Sequence, residues 1–115
     1  EKRYISDNKI LTNAIKIFQN LENMTIEKIA NLLENNPDYL NLQDPNSGST
    51  LLFKAVAIGN FEAIEFLLQK KADPDIQNIY GDTPLHLATE NGNIKIINIL
   101  LEKGSNPNIQ QQVIF

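Results

Sequence analysis

Residues 81–93 read GDTPLHLATENGN, and the fold turns on whether its single histidine, His86, carries chemistry or holds a turn together. Pro84 suits the first turn of a short helix over about Thr83 to Glu90, because its missing N–H would lack a partner there anyway. Asn91-Gly92 breaks the chain, since glycine reaches positive φ without a Cβ penalty. Asn93 then caps a second helix, in which Ile96, Ile97, Leu100 and Leu101 recur at three- and four-residue spacing. Gly104 is placed as its C-cap, and Ser105 to Ile109, with Pro107, as a loop with an extended piece.

The same reading fits again 33 residues upstream. Gly48 aligns with Gly81, Thr50 with Thr83, Leu52 with Leu85 and Ala55 with Ala88. Gly59 meets Gly92, Asn60 meets Asn93, Ile64 meets Ile97, and Leu67-Leu68 meets Leu100-Leu101. Pro74 and Ile76 then pair with Pro107 and Ile109. Each unit has one oily side and too little area to bury it alone, so neighbours must stack into a quasi-linear array.

An earlier unit is less regular. TIEKIANLLENNPDYLNLQ (25–43) supplies a second helix with Ile26, Ile29, Leu32 and Leu33 apolar. Leu33 to Leu68 is 35 residues, which puts one extra residue in NNPDYLN and one in DPNSG. SDNKILTNAIKIFQNL (6–21) reads as a longer first helix with Ile10, Leu11, Ala14, Ile17, Phe18 and Leu21 inward. The predicted divisions are 1–43, a divergent N-terminal capping unit; 44–77; 78–110; and 111–115, the start of a truncated unit or a tail. Val113, Ile114 and Phe115 are poor residues to leave in water, so either more units follow or the tail folds back as a cap.

Composition removes several function classes. A net charge of −4, pI about 4.9 and ten scattered basic residues offer no basic face for phosphates, so no nucleic-acid partner is expected. The longest apolar runs are too short to span a membrane. With no cysteine there is neither a thiol nucleophile nor a thiolate zinc site, which fits a reducing compartment. Asparagine and isoleucine supply 16 residues each and lysine outnumbers arginine nine to one, a bias of A/T-rich codons. The absence of an initiating methionine suggests a piece of something longer.

Gly81-Asp-Thr-Pro-Leu-His86-Leu-Ala88, then Gly92, Ile97, Leu100-Leu101 and Gly104, closely resembles the ankyrin repeat. The 78–110 unit matches nearly completely. The 44–77 unit matches well, with Thr50-Leu51-Leu52-Phe53 where the family prefers Thr-Pro-Leu-His, and the first unit keeps only its second helix and loop. The resemblance covers roughly residues 25–110. It implies an all-α solenoid of stacked helix-turn-helix pairs with short β-hairpin fingers, whose concave finger and first-helix surface binds partner proteins without catalysis. It also implies that Thr83 and His86 hydrogen-bond side chain to backbone and tie the finger to the helix. A catalytic His86 would need an acid, a nucleophile or a second ligand at defined spacing, and the sequence provides none. Phe53 in the matching slot agrees.

Two acidic pairs, Asp73-Asp75 and Glu62-Glu65, are better read as solvated charge than as a metal or acid–base site, since no third oxygen ligand recurs at calcium-loop spacing. No Gly-rich phosphate loop is present. The positions that the repeat leaves free are Asn46, Ser47, Ser49, Ala57 and Ile58 in the 44–77 unit, and Ile79, Tyr80, Asp82, Glu90 and Asn91 in the 78–110 unit. Ile79-Tyr80 stands out, because tyrosine is enriched among interface hot spots, and Ile58 could extend that patch. The bland alternative is that Tyr80 packs on the neighbouring finger. The expected function is a protein-interaction module, monomeric when isolated, cytoplasmic or in a host cytosol, with no catalytic, cofactor, metal or small-molecule site. A second expectation, from a different class, is the targeting segment of a larger enzyme or microbial effector. A purely structural spacer is the third.

Overall fold

The computed structural model describes residues 16, 18–20, 23 and 25–111. In chain order the elements are α1 (Ile26–Asn35), a 3-10 segment (Pro37–Asn41), α2 (Leu51–Ile58), α3 (Phe61–Gln69), α4 (Pro84–Asn91) and α5 (Ile94–Glu102). The long helix expected over 6–21 lies mostly outside the described residues. Within it residues 16 and 18–20 are helical and Phe18 is buried in the core. Val113 to Phe115 fall outside as well.

Each of the helices α1 to α5 begins on a side chain. The hydroxyls of Thr25, Thr50 and Thr83 and the amide oxygens of Asn60 and Asn93 each accept the backbone N–H three residues on, at 3.1 to 3.3 Å. Each bond satisfies one of the donors that a helix start leaves open. The helix placed over Thr83 to Glu90 in fact has Thr83 as its cap and runs from Pro84 to Asn91.

The ends of α2 to α5 are just as uniform. At the close of α5, Ser105 N–H donates to Leu100 O at 2.9 Å and Gly104 N–H to Leu101 O at 3.2 Å, with Gly104 at φ 105°. This is the paired closure in which a left-handed residue turns the chain off the helix. Gly104 therefore sits one residue beyond the C-cap it was expected to be, and Lys103 holds that place. Gly59, Lys71 and Gly92 make the same closure after α2, α3 and α4.

Packing then follows the period. Helix α2 lies on α3 and α4 on α5 within units, while α2 meets α4 and α1 meets α3 between units. The first helices approach each other more closely than α3 approaches α5, helped by Ala55 and Ala88, which are fully buried. The family resemblance implies that the fingers and first helices line the hollow side of such a stack. One core cluster runs through all the units, including Ile29, Leu52, Ile64, Leu67, Ile96 and Leu100. Burial of such side chains contributes roughly 1.5–3 kcal/mol each.

Two details differ from expectation on this scaffold. In α5 it is Ile96, Ile99 and Leu100 that are buried, whereas Leu101 is 43% exposed and Ile97 only partly covered. The fingers are turns, with no strand among the described residues. Within the second finger the backbone-to-backbone bonds are only Asn78 N–H to Asp82 O and Gly81 N–H to Asn78 O, too few for a ladder. The two extra residues sit where expected. Asp44 N–H reaches five residues on to Ser49 O, against four in the next finger. Ten residues part Leu33 from Gln43, against nine from Leu68 to Gln77, and the 3-10 segment takes up the difference.

Candidate partner-binding surface

His86 comes first because a hydroxyl lies beside it. Thr83 Oγ1 is 3.1 Å from His86 Nδ1, a spacing that resembles a nucleophile and its base. The remaining bonds exclude that role. Nδ1 accepts Thr83 N–H at 2.9 Å, so its lone pair is engaged. Nε2 lies 2.8 Å from Ile109 O, which can only accept, so Nε2 carries the proton. Thr83 Oγ1 is itself buried and accepts His86 N–H. The ring is neutral and ties the finger to the helix, as the family resemblance implied, and through Nε2 it also reaches the next loop. In the preceding unit Phe53 fills the slot and is buried.

The acidic pairs have structural duties more than expected. Asp73 Oδ1 accepts Asp75 N–H, and Asp75 Oδ1 accepts Asn106 N–H from the next unit, both at 2.9 Å. Asp75 is thus a loop tie rather than simply solvated charge. Glu62 and Glu65 are exposed. Among the described residues no group of three acidic or histidine side chains could hold a metal ion. No helix there is long and apolar enough to cross a membrane.

The structure divides the ten candidate surface residues into two zones and removes one. Ser49 is not free: it is buried, its N–H donates to Ser47 Oγ and its carbonyl accepts Asp44 N–H. A finger this short needs its own backbone closure there. The finger zone holds Asn46, Ser47, Ile79, Tyr80 and Asp82. The other zone is at the far ends of α2 and α4 and holds Ala57, Ile58, Glu90 and Asn91, all exposed. An eight-residue helix, about 12 Å long, lies between a finger and the helix end that follows it. Ile58 therefore does not extend the Tyr80 patch.

Within the finger zone the packing role belongs to Ile79, not Tyr80. Ile79 N–H donates to Ser47 O at 3.0 Å, and its Cγ2 lies against Gly48. Tyr80 stands 60% exposed. Asp82 is half-buried and receives the Gln111 side-chain amide. Asp44 pairs with Lys54 at 3.7 Å.

Sequence reasoning missed what binds one finger to the next. Gln43 Nε2 donates to Gly48 O in its own finger at 2.9 Å and to Gln77 O at 3.0 Å. Gln77 Nε2 repeats this with Gly81 O and Gln110 O, both at 2.8 Å. A parallel row links the loops, with Asp73 N–H on Asn41 Oδ1 and Asn106 N–H on Asp75 Oδ1. The signal was present as glutamine at 43, 77 and 110, and as Asn41, Asp75 and Asn108, spaced 34 and then 33.

A family profile described as ankyrin repeats, in three copies, matches residues 12–111. The chain belongs to the ankyrin repeat family. Among solved structures, the ankyrin repeat domain of Bcl-3, a member of the IkappaB protein family, superposes with a TM-score of 0.72 at 27% identity. That match covers 75% of this chain and 37% of the Bcl-3 chain. Palmitoyltransferase ZDHHC13 from Homo sapiens and from Pongo abelii is 45% identical over 56 residues, 49% of this chain. The matched stretch spans only 9% of either palmitoyltransferase. Ankyrin repeats are generally protein-interaction modules, and this chain has the corresponding all-α stack.

Proposed function

We propose that this domain binds a partner protein on its hollow side and performs no reaction itself. The observation that carries the reading is Tyr80, a large ring exposed on a finger whose neighbours are already fixed by hydrogen bonds. Rings with a polar tip concentrate binding energy at interfaces. The helix-end zone of Ala57, Ile58, Glu90 and Asn91 forms a second contact region, and a partner that spans both covers the first helices between them. Tyr80→Ala lowers partner affinity by at least about tenfold with the fold unchanged by circular dichroism, whereas Glu65→Ala on α3 leaves it unaltered. Equal affinities for all three proteins in titration calorimetry would remove the hollow side from the reading.

A second reading has one observation in its favour. The similarity to the palmitoyltransferases is confined to a small part of enzymes whose remainder lies elsewhere. In that reading the domain is the targeting segment of a larger catalytic protein. Its reading frame distinguishes the two, since only a targeting segment has a catalytic motif set encoded outside these residues.

A further inference from the structure

The fingers and first helices, residues 44–59 and 78–91, carry three carboxylates, Asp44, Asp82 and Glu90, against one cation, Lys54. That cation is already committed, because its Nζ lies 3.7 Å from Asp44 in the one ion pair among the described residues. The other lysines of these two units sit on the second helices or the turns that close them, at 70, 71, 95 and 103. The side offered to a partner is therefore the one with unmatched negative charge. Such a side draws a cation and repels phosphate.

The second finger sets one of those carboxylates beside the exposed ring. Asn78 is buried, and its Oδ1 accepts both Tyr80 N–H at 2.9 Å and Asp82 N–H at 3.0 Å. Gly81 N–H closes the turn on Asn78 O at 3.0 Å. Being two residues apart, Tyr80 and Asp82 branch from points at most about 7 Å from one another, on backbone that is already fixed. Gln111 engages Asp82 Oδ1, but its amide is neutral and leaves the charge in place.

We infer that the partner supplies an arginine to this finger, its guanidinium stacked on Tyr80 and hydrogen-bonded to the Asp82 carboxylate. The inference rests on the binding reading given above and names the chemistry of its occupant. A guanidinium suits both groups, since it is planar, weakly hydrated and carries a fork of donors, whereas an ammonium is a strongly hydrated point charge. Asp82 is half-buried, so salt screens such a pair less than one in open water. Glu90 then fixes a spacing. It lies eight residues beyond Asp82, about 12 Å along a helix, which an extended peptide covers in three or four residues at about 3.3 Å each. A second basic residue of the partner, at that interval from the arginine, meets Glu90.

Random dodecapeptides displayed on phage are the probe: they are selected on this domain, and the recovered peptides are synthesised and titrated by calorimetry. Arginine is expected at one position of the selected set, with a second basic residue three or four positions away. Replacing that arginine by lysine, or by its neutral isostere citrulline, is expected to weaken binding at least about tenfold. Tyr80→Leu and Asp82→Asn should do the same, the second keeping the oxygen that Gln111 uses, and Tyr80→Phe should restore most of what Tyr80→Leu loses. Peptides that need Tyr80 but carry no arginine, or that bind Asp82→Asn unchanged, would overturn the inference and leave the binding reading standing. A selection that recovers no peptide would overturn it too. Peptides indifferent to Tyr80→Leu would remove both.

Discussion

Lys71 holds the left-handed conformation, φ 72°, that Gly104 holds one unit later. The bonds around them match: Ala72 N–H to Leu67 O and Lys71 N–H to Leu68 O, both 3.0 Å, against Ser105 to Leu100 and Gly104 to Leu101. A Cβ in that region costs roughly 1–2 kcal/mol, partly offset by the greater freedom of glycine in the unfolded chain. Lys71→Gly should therefore raise stability by about 0.5–1 kcal/mol, seen as a higher urea midpoint at constant slope. Two other glycines separate strain from space. Gly104→Ala should cost only the backbone term, because a Cβ there meets nothing within 4 Å. Gly48→Ala should cost distinctly more, since its Cβ would lie 3.0 Å from Ile79 N. Equal losses in the two variants would show that finger contact to be unimportant.

At the scale of elements, the strut from Thr83 through His86 to Ile109 separates capping from bridging. Thr83→Ala removes the cap of α4 and should cost about 1–2 kcal/mol. His86→Phe keeps the plug that Phe53 supplies one unit earlier but frees Ile109 O, so exchange should rise in residues 105–111 more than in α4. Partner binding through the hollow side should survive that substitution. Helices α3 and α5 give a second contrast: Leu67→Ala in the core of α3 should cost about 2–5 kcal/mol, and Leu101→Ala in α5 less than about 1 kcal/mol. Leu68 and Leu101 also mark what a sequence can reveal. Their identity and spacing fix the helix and its inward stripe, and the capping threonines and asparagines announce themselves by type. Their burial differs only because a following unit covers one and not the other, which no local pattern records. Ser49 reads as free for a related reason, since its closure bond to Asp44 depends on the length of the finger.

For the molecule as a whole, the period made the architecture legible because Thr83, Gly92 and Asn93, like Thr50, Gly59 and Asn60 before them, each need that residue type at that place. The glutamine row was equally periodic but hidden, since the extra residue in the finger that follows Gln43 shifts its first interval from 33 to 34. Its amide also does nothing within its own helix pair that would draw notice. The solvent-facing residues were less legible still, because exposure alone grouped Ile58 with Tyr80 although a helix length separates them. One core cluster joins the units, so unfolding by urea should be a single transition, and a second step would mark α1 detaching on its own.

The doubled amide bonds of Gln43 and Gln77 staple each finger to itself and to its neighbour before anything arrives. An incoming protein then meets loops whose disorder has already been spent during folding, and little remains to be frozen at docking. Gln77→Ala, which touches no visitor, should weaken association through a less favourable entropy at nearly constant enthalpy. Calorimetry would read that as looseness imported into the unbound state, with the docked surfaces themselves unaltered.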